Sequence, residues 1–257
     1  MHSLTIIGYC IHAILIQKGH QQILIDGGPD PEKICLELGD KLPFWDRTIE
    51  LVILTHPDVD HITGLVEVLQ RYEVKQVLTS GQECDSSVCM EWRRLIEEKD
   101  IEHTIARAGQ RIALSGEVSL EVLHPQRTLL QATASDVNNN SVVLRLVFHD
   151  FSLLLPGDVF EEAEQHLLDR RFSLRSTVLK VPHHGSDTSG CPEFLTEVDP
   201  QLAVISVGEE NPFGHPSPEV VERLEEMVGQ DNVYLTSEQD TIELITDGES
   251  LWLRTEK

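Results

Sequence analysis

Four side chains able to bind divalent cations, His56, Asp58, Asp60 and His61, fall within six residues. They sit in Leu51-Val-Ile-Leu-Thr55-His56-Pro57-Asp58-Val59-Asp60-His61-Ile62-Thr63-Gly64-Leu65, where an apolar strand gives way to a polar turn and then a helical pattern. Ligands this close in the chain converge on one ion only if the backbone turns sharply, and a strand-to-helix loop supplies that turn. The start of the helix also favours anions, whether carboxylate, hydroxide or phosphate. Gly64 is expected to let the first helical turn approach a neighbour closely. The competing reading, an Asp-rich surface turn with two solvated histidines, is outweighed by the agreement of motif and context.

Other strand tips carry similar residues. Leu153-Leu-Leu-Pro-Gly157-Asp158 delivers a carboxylate whose two oxygens can bridge two cations. Alone, Asp158 could equally cap the helix expected from Phe160. Val178-Leu-Lys-Val-Pro182-His183-His184-Gly185-Ser186 ends in two imidazoles, which suit zinc, iron and manganese. His215, in Asn211-Pro-Phe-Gly-His-Pro216, stands open to three readings: ligand, general acid or plain loop histidine. Asn138–Asn140 either place an amide near the cations or form a turn. Asp26 reads as ordering its own loop. His2, His12, His20, His103 and His149 have no supporting context and are taken as surface or satisfied residues, and His124 is read the same way.

Short Val-, Ile- and Leu-rich runs must position these residues. Leu4–Gly8, Leu51–Thr55, Phe151–Leu155 and Thr177–Val181 read as strands, several too apolar to have one wet face. Pro31–Leu38, Ile62–Tyr72, Ser87–Lys99, Phe160–Leu168, Pro192–Val198 and Ser217–Val228 read as helices, the last with Ser217 as N-cap and Pro218 at the first helical position. The order predicts an α/β chain, a four-layer αββα sandwich forming one domain of two αβ halves, about 1–125 and 141–257. The polar stretch 126–140 connects them.

The chain has 257 residues and a formal charge of −24, which argues against a broad basic grip on nucleic acid. It does not exclude a nuclease, because two dications would add positive charge where a phosphate must sit. No apolar run approaches the roughly 20 residues of a membrane span, and the start lacks the basic and apolar regions of a signal peptide. A cytoplasmic protein is the expectation. The five cysteines form no CxxC and are expected as reduced, mostly buried thiols.

Together ILIDGG (23–28), THPDVDHITGL, NNNSVVL, LLLPGD, LKVPHHGS and AVISVGEENPFGHP resemble the metallo-β-lactamase superfamily, and within it the ComEC-type hydrolase domain. The resemblance covers nearly the whole chain and implies the metallo-β-lactamase fold, a metal centre at one edge of the sheets and hydrolysis by metal-activated water. Asp58 stands where the superfamily's usual HxHxDH has its second His. The Asn138–Asn140 stretch occupies a position that often supplies another His. An oxygen-richer site shifts preference towards Mn²⁺ or Mg²⁺, while the remaining imidazoles keep Zn²⁺ in play and Fe also fits. The usual VGQGDA segment is here Ile7-Gly8-Tyr9-Cys10-Ile11-His12-Ala13, without that Gly and Asp. ComEC's membrane helices are missing from this chain, so DNA uptake does not follow.

The resemblance suggests a phosphodiester hydrolase acting on a nucleic acid or a small molecule. His56, Asp58 and a C-terminal His, with His183 foremost, would hold one cation. Asp60, His61 and another would hold the second, with Asp158 bridging. Asp60 would also orient the attacking hydroxide, and His184 or His215 would protonate the leaving group. Ser186 and Asn140 would contact substrate. The same centre suits a small ester, thioester or lactam, and a non-catalytic metal-binding protein of the same fold is the third reading.

Overall fold

Most strands have no wet face, because each sheet is covered on both sides. In the computed structural model, which describes residues 3–9, 12–43, 45–114, 117–170, 172–208 and 211–257, two sheets lie face to face with helices outside each. The strands are β1 (Leu4–Gly8), β2 (Ile14–Lys18), β3 (Gln21–Ile25), β4 (Thr48–Leu54), β5 (Glu73–Thr79), β6 (Glu102–Ile105), β7 (Arg111–Ala113) and β8 (Val118–His124). They continue with β9 (Val143–Phe148), β10 (Phe151–Leu155), β11 (Val178–Lys180), β12 (Leu202–Ile205), β13 (Val233–Leu235), β14 (Ile242–Thr246) and β15 (Leu251–Thr255). One sheet has the order β15-β14-β1-β2-β3-β4-β5-β6 and the other β13-β12-β11-β10-β9-β8-β7.

The helices are α1 (Pro31–Lys41), α2 (Val59–Arg71), α3 (Ser87–Glu98), α4 (Asp136–Asn139), α5 (Glu161–Leu168), α6 (Pro192–Val198), α7 (Pro218–Val228) and α8 (Thr236–Gln239). Side-chain alternation sorts each strand between layers. From β4, Leu51 and Ile53 enter the core between the sheets, while Val52 and Leu54 face the core beneath α1, α2 and α3. From β10, Leu153 and Leu155 point inward and Leu154 packs beneath α5, α6 and α7. No described helix is long and apolar enough to cross a membrane.

The sheets do not divide the chain at residues 126–140. The strands β7 and β8, before that stretch, already belong to the second sheet, and β14 and β15 return to pair beside β1. The sequence pattern misses β6 and β7 because both are short and mostly exposed, leaving no apolar run to mark them. Ser217 holds the cap position of α7, yet its side chain makes no cap bond.

β3, β4 and β5 run parallel in one sheet, and β10, β11 and β12 do so in the other. Their C-terminal ends therefore gather residues from distant parts of the chain, the usual place for ligands in such sheets. Here they carry Asp26, Thr55, Pro156 and Val181 and the loops that follow.

The segment after β3 and the helix α2 meet backbone to backbone. Gly27 N–H donates to the His61 carbonyl and Gly64 N–H to the Gly28 carbonyl, each at 2.9 Å. A Cβ on Gly64 would lie 2.0 Å from the Gly27 oxygen, and one on Gly27 would lie 2.4 Å from the Leu65 nitrogen. Both obstacles are backbone, which cannot swing aside. Gly64→Ala should therefore lower stability by about 3 kcal/mol or more. Gly39→Ala, in α1 with nothing within 4 Å, should change it by less than about 1 kcal/mol and in the stabilising direction. Urea denaturation midpoints of the two variants check this.

Candidate metal centre

Asp26, at the end of β3, organises the loop that carries His56, Asp58, Asp60 and His61. Its carboxylate accepts from Thr55 N–H at 2.8 Å, from the Thr55 hydroxyl at 2.7 Å and from His61 Nδ1 at 2.8 Å. The Thr55 hydroxyl has given its proton to Asp26, so it can only accept from His56 Nδ1, 3.0 Å away. His184 Nδ1 lies 2.8 Å from the Ser206 carbonyl, which also can only accept. Hydrogen-bond logic thus places a proton on Nδ1 of all three imidazoles and turns each Nε2 towards the cluster, the nitrogen through which a histidine held this way binds metal.

His56 Nε2, His61 Nε2, His184 Nε2 and Asp158 Oδ1 are buried without a hydrogen-bond partner, a costly state for polar atoms. His56, His61 and Asp158, all buried, offer ligand atoms within 4.8 Å of one another. His12, Asp60 and His184 form a second such group beside it. Asp158 lies between the groups, with Oδ2 3.2 Å from His61 Nε2 and 2.8 Å from His184 Nε2. His56, His61, His184, Asp60 and Asp158 make a donor set that fits a pair of divalent cations. Asp58 sits at the N-cap of α2, yet its carboxylate makes no cap bond and lies 3.7 Å from His56 Nε2. An aspartate that forgoes its cap keeps its oxygens for something else. Asp60 Oδ2 is 3.8 Å from His61 Nε2 and half-exposed.

The electrostatics follow from burial and crowding. Burial, aided by His61, holds His56 well below the usual histidine range. Burial would do the same to His61, but Asp158 and Asp26 overcome it and raise His61 well above that range. Burial would likewise raise Asp158, but His184 and His61 hold it well below the carboxylate range. A cation at His61 Nε2 replaces a proton, so binding releases one. Burial and the neighbouring Asp60 push Asp58 upward, a repulsion that a cation relieves.

Several expected roles change hands. His184, not His183, faces the cluster. The 182–185 turn holds both histidines at positive φ, and this aims His183 away, its Nδ1 2.8 Å from Thr188 Oγ1 and its ring stacked 4.7 Å from Phe160. His184 Nε2 accordingly lies 2.8 Å from Asp158 Oδ2, among the residues that could hold a cation. Asn140 is fully buried and its amide is spent on Leu130, Asp136 and Gln82, so it is a structural residue and not a substrate contact. Ser186 is also buried, with its hydroxyl engaged by Thr188 and Asp187. His215 lines a cleft of about 670 Å³ that also meets Asp60, His184 and His12.

His12 was missed: its neighbours in sequence are apolar, and its partner His184 lies 172 residues away. No local signal marks it. Cys10 and Ile11, just before it, lie outside the described residues. The cysteine expectation also changes. Cys84 and Cys89 form a disulfide, because the turn capped by Ser86 at the start of α3 brings their Cα atoms to 6.0 Å. Both sulfurs rest against the Pro57 carbonyl, at 3.8 and 3.9 Å, behind the ligand loop.

Comparison with known proteins places these features in context. Residues 11–209 match the family model described as the metallo-beta-lactamase superfamily. The chain is 31% identical over 202 residues to ComE operon protein 3 of Bacillus subtilis, covering 73% of this chain and 24% of that protein. It is 29% identical over 215 residues to Recombination protein 2 of Haemophilus influenzae, covering 82% of this chain and 25% of that protein. The chain thus spans about a quarter of the length of these curated relatives. Its fold is similar to that of the metallo-beta-lactamase fold protein YhfI of Bacillus subtilis, with a TM-score of 0.59 at 10% identity, covering 98% of this chain and all of that one.

Two outcomes follow. Asp26→Asn cannot accept from every donor Asp26 serves, so cation affinity should fall on the order of 10–100-fold, measured by chelator competition. His124 is buried and neutral, its Nε2–H donating to the Asn139 carbonyl at 2.8 Å, and burial pushes its pKa from 6.5 down to about 4. Between those values the unfolded chain holds more protons. Stability present above pH 6.5 therefore drains away towards pH 4, by up to about 3 kcal/mol from this residue. Urea midpoints at neutral and acid pH should show a smaller loss in His124→Phe than in the wild type.

Proposed function

This chain belongs to the metallo-β-lactamase superfamily, with ComEC-type relatives, and on that premise we propose that it hydrolyses phosphodiesters, in nucleic acid or in smaller molecules. The observation that carries the reading is the convergence of three imidazole Nε2 atoms and the Asp158 carboxylate, beside a cleft that Asp60 and His184 line. His56, His61 and Asp158 would hold one divalent cation, with Asp58 beside them. Asp60 and His184 would hold the second, with Asp158 reaching both. Zn²⁺ or Mn²⁺, with Mg²⁺ or Fe²⁺ as alternatives, would supply an activated water and a Lewis-acid grip on the non-bridging oxygens.

The chain's own residues set the rest. Asp60, half-exposed at the rim, accepts the proton of the attacking water and orients it. His215 faces the cleft and donates to the departing oxygen. Lys33 and Lys257 line the same cleft and offset part of a phosphate's charge. The N-terminus of α2 adds a favourable field for an anion.

A second reading, hydrolysis of a small ester, thioester or lactam, is favoured by the formal charge of −24, which repels polyanions away from the cations. Metal-loaded protein should cleave single-stranded DNA or bis(p-nitrophenyl) phosphate, best with Mn²⁺, in a screen that includes nitrocefin, lactones and thioesters. Asp60→Ala should reduce the rate on the order of 100-fold or more. Absence of phosphodiester cleavage with every divalent cation tried would defeat the proposal, and carbonyl turnover alone would favour the second reading.

A further inference from the structure

His12 is held in a backbone conformation that side chains other than glycine seldom adopt, at φ 63°. Its Nδ1 lies 2.8 Å from His184 Nδ1, and the two rings meet edge to face with centroids 3.9 Å apart. Two nitrogens at that distance share one proton between them. The Ser206 carbonyl, also 2.8 Å from His184 Nδ1, decides which nitrogen carries it. A carbonyl cannot donate, so the proton is on His184 Nδ1, and that one N–H is shared between the Ser206 carbonyl and His12 Nδ1. His12 Nδ1 has no lone pair on His184 Nδ1 to donate to and can only accept, so the proton of neutral His12 sits on Nε2. Among the described residues, His12 makes no hydrogen bond through Nε2.

We infer that His12 is a fixed, neutral hydrogen-bond donor to an oxygen of the substrate, and not a ligand of the second cation. It lines the cleft together with Asp60, His184 and His215, so a group bound there meets it. Its proximity to Asp60 and His184 would otherwise suggest coordination. Coordination through Nε2 would put a second N–H on Nδ1, facing that of His184 at 2.8 Å. Coordination through Nδ1 would forfeit the bond from His184. A pre-set donor of this kind suits an oxygen that gains negative charge, in a phosphoryl or a carbonyl group alike. The backbone of Ser206 thus sets the tautomer of two histidines in series, one to bind metal and one to bind substrate.

The inference deepens the hydrolytic reading, but two of its three tests do not depend on turnover. Long-range proton–nitrogen NMR of Zn²⁺-loaded protein should show His12 protonated at Nε2 and His184 at Nδ1. His12→Phe should keep the wild-type metal stoichiometry by elemental analysis, yet bind inorganic phosphate about tenfold or more weakly. His12→Gln, whose amide can present an N–H near the Nε2 position, should recover most of that binding. On whichever substrate the protein turns over, kcat should fall on the order of 100-fold in His12→Phe and recover in His12→Gln. Loss of one metal equivalent in His12→Phe, a proton found on His12 Nδ1, or unchanged phosphate binding would overturn the inference. Absence of turnover with intact phosphate and NMR results would instead count against the hydrolytic reading alone.

Discussion

The metal loop exists because two backbones touch with no side chain between them. Where α2 begins, Gly64 meets Gly27 at the end of β3, and paired N–H···O=C bonds close the gap. That contact brings Asp26 against the loop from behind, within reach of Thr55 and His61 together. One carboxylate thereby sets the rotamer of Thr55 and the tautomer of His61 directly, and that of His56 through the Thr55 hydroxyl. A side chain at either glycine would push α2 off the sheet and separate the carboxylate from its dependents.

The three inward-facing imidazoles show one solution reached by three acceptors: a hydroxyl for His56, a carboxylate for His61 and a main-chain carbonyl for His184. The acceptors differ in charge, and so do the consequences. His61, between Asp26 and Asp158, favours its protonated form in the metal-free protein, whereas buried His56 strongly disfavours it. Lys180, also buried, brings its Nζ to 3.7 Å from Asp158 Oδ1. Protonated His61 partly compensates the carboxylates around the site before any cation arrives.

The sequence exposes the parts of this site that are local. His56 to His61, Asp158 and the 183–184 pair stand out because each follows an apolar strand that places it at a sheet end. The need for a glycine at position 64 is readable for the same reason. What the sequence hides is orientation and distance. Two adjacent histidines look alike in a string, and only the positive φ values at both reveal that His184 turns in while His183 stacks on Phe160. Asn140 and Ser186 look available until their hydrogen bonds are traced. His12 depends on a partner from the other sheet, and the Cys84–Cys89 bond depends on a helix cap between them.

The last two strands have a part out of proportion to their distance from the ligands. Having contributed β13 to one sheet, the chain crosses back, and β14 lies along β1 while β15 closes the rim. Excising the protein just after α7 would spare every ligand, yet it would leave β1 as a bare edge, free to pair with another molecule. It would also strip Thr236, Asp240 and Lys257 from the cleft wall. The chain downstream of the last ligand thus serves the centre by covering β1, with β14 paired directly to it and β15 to β14 in turn.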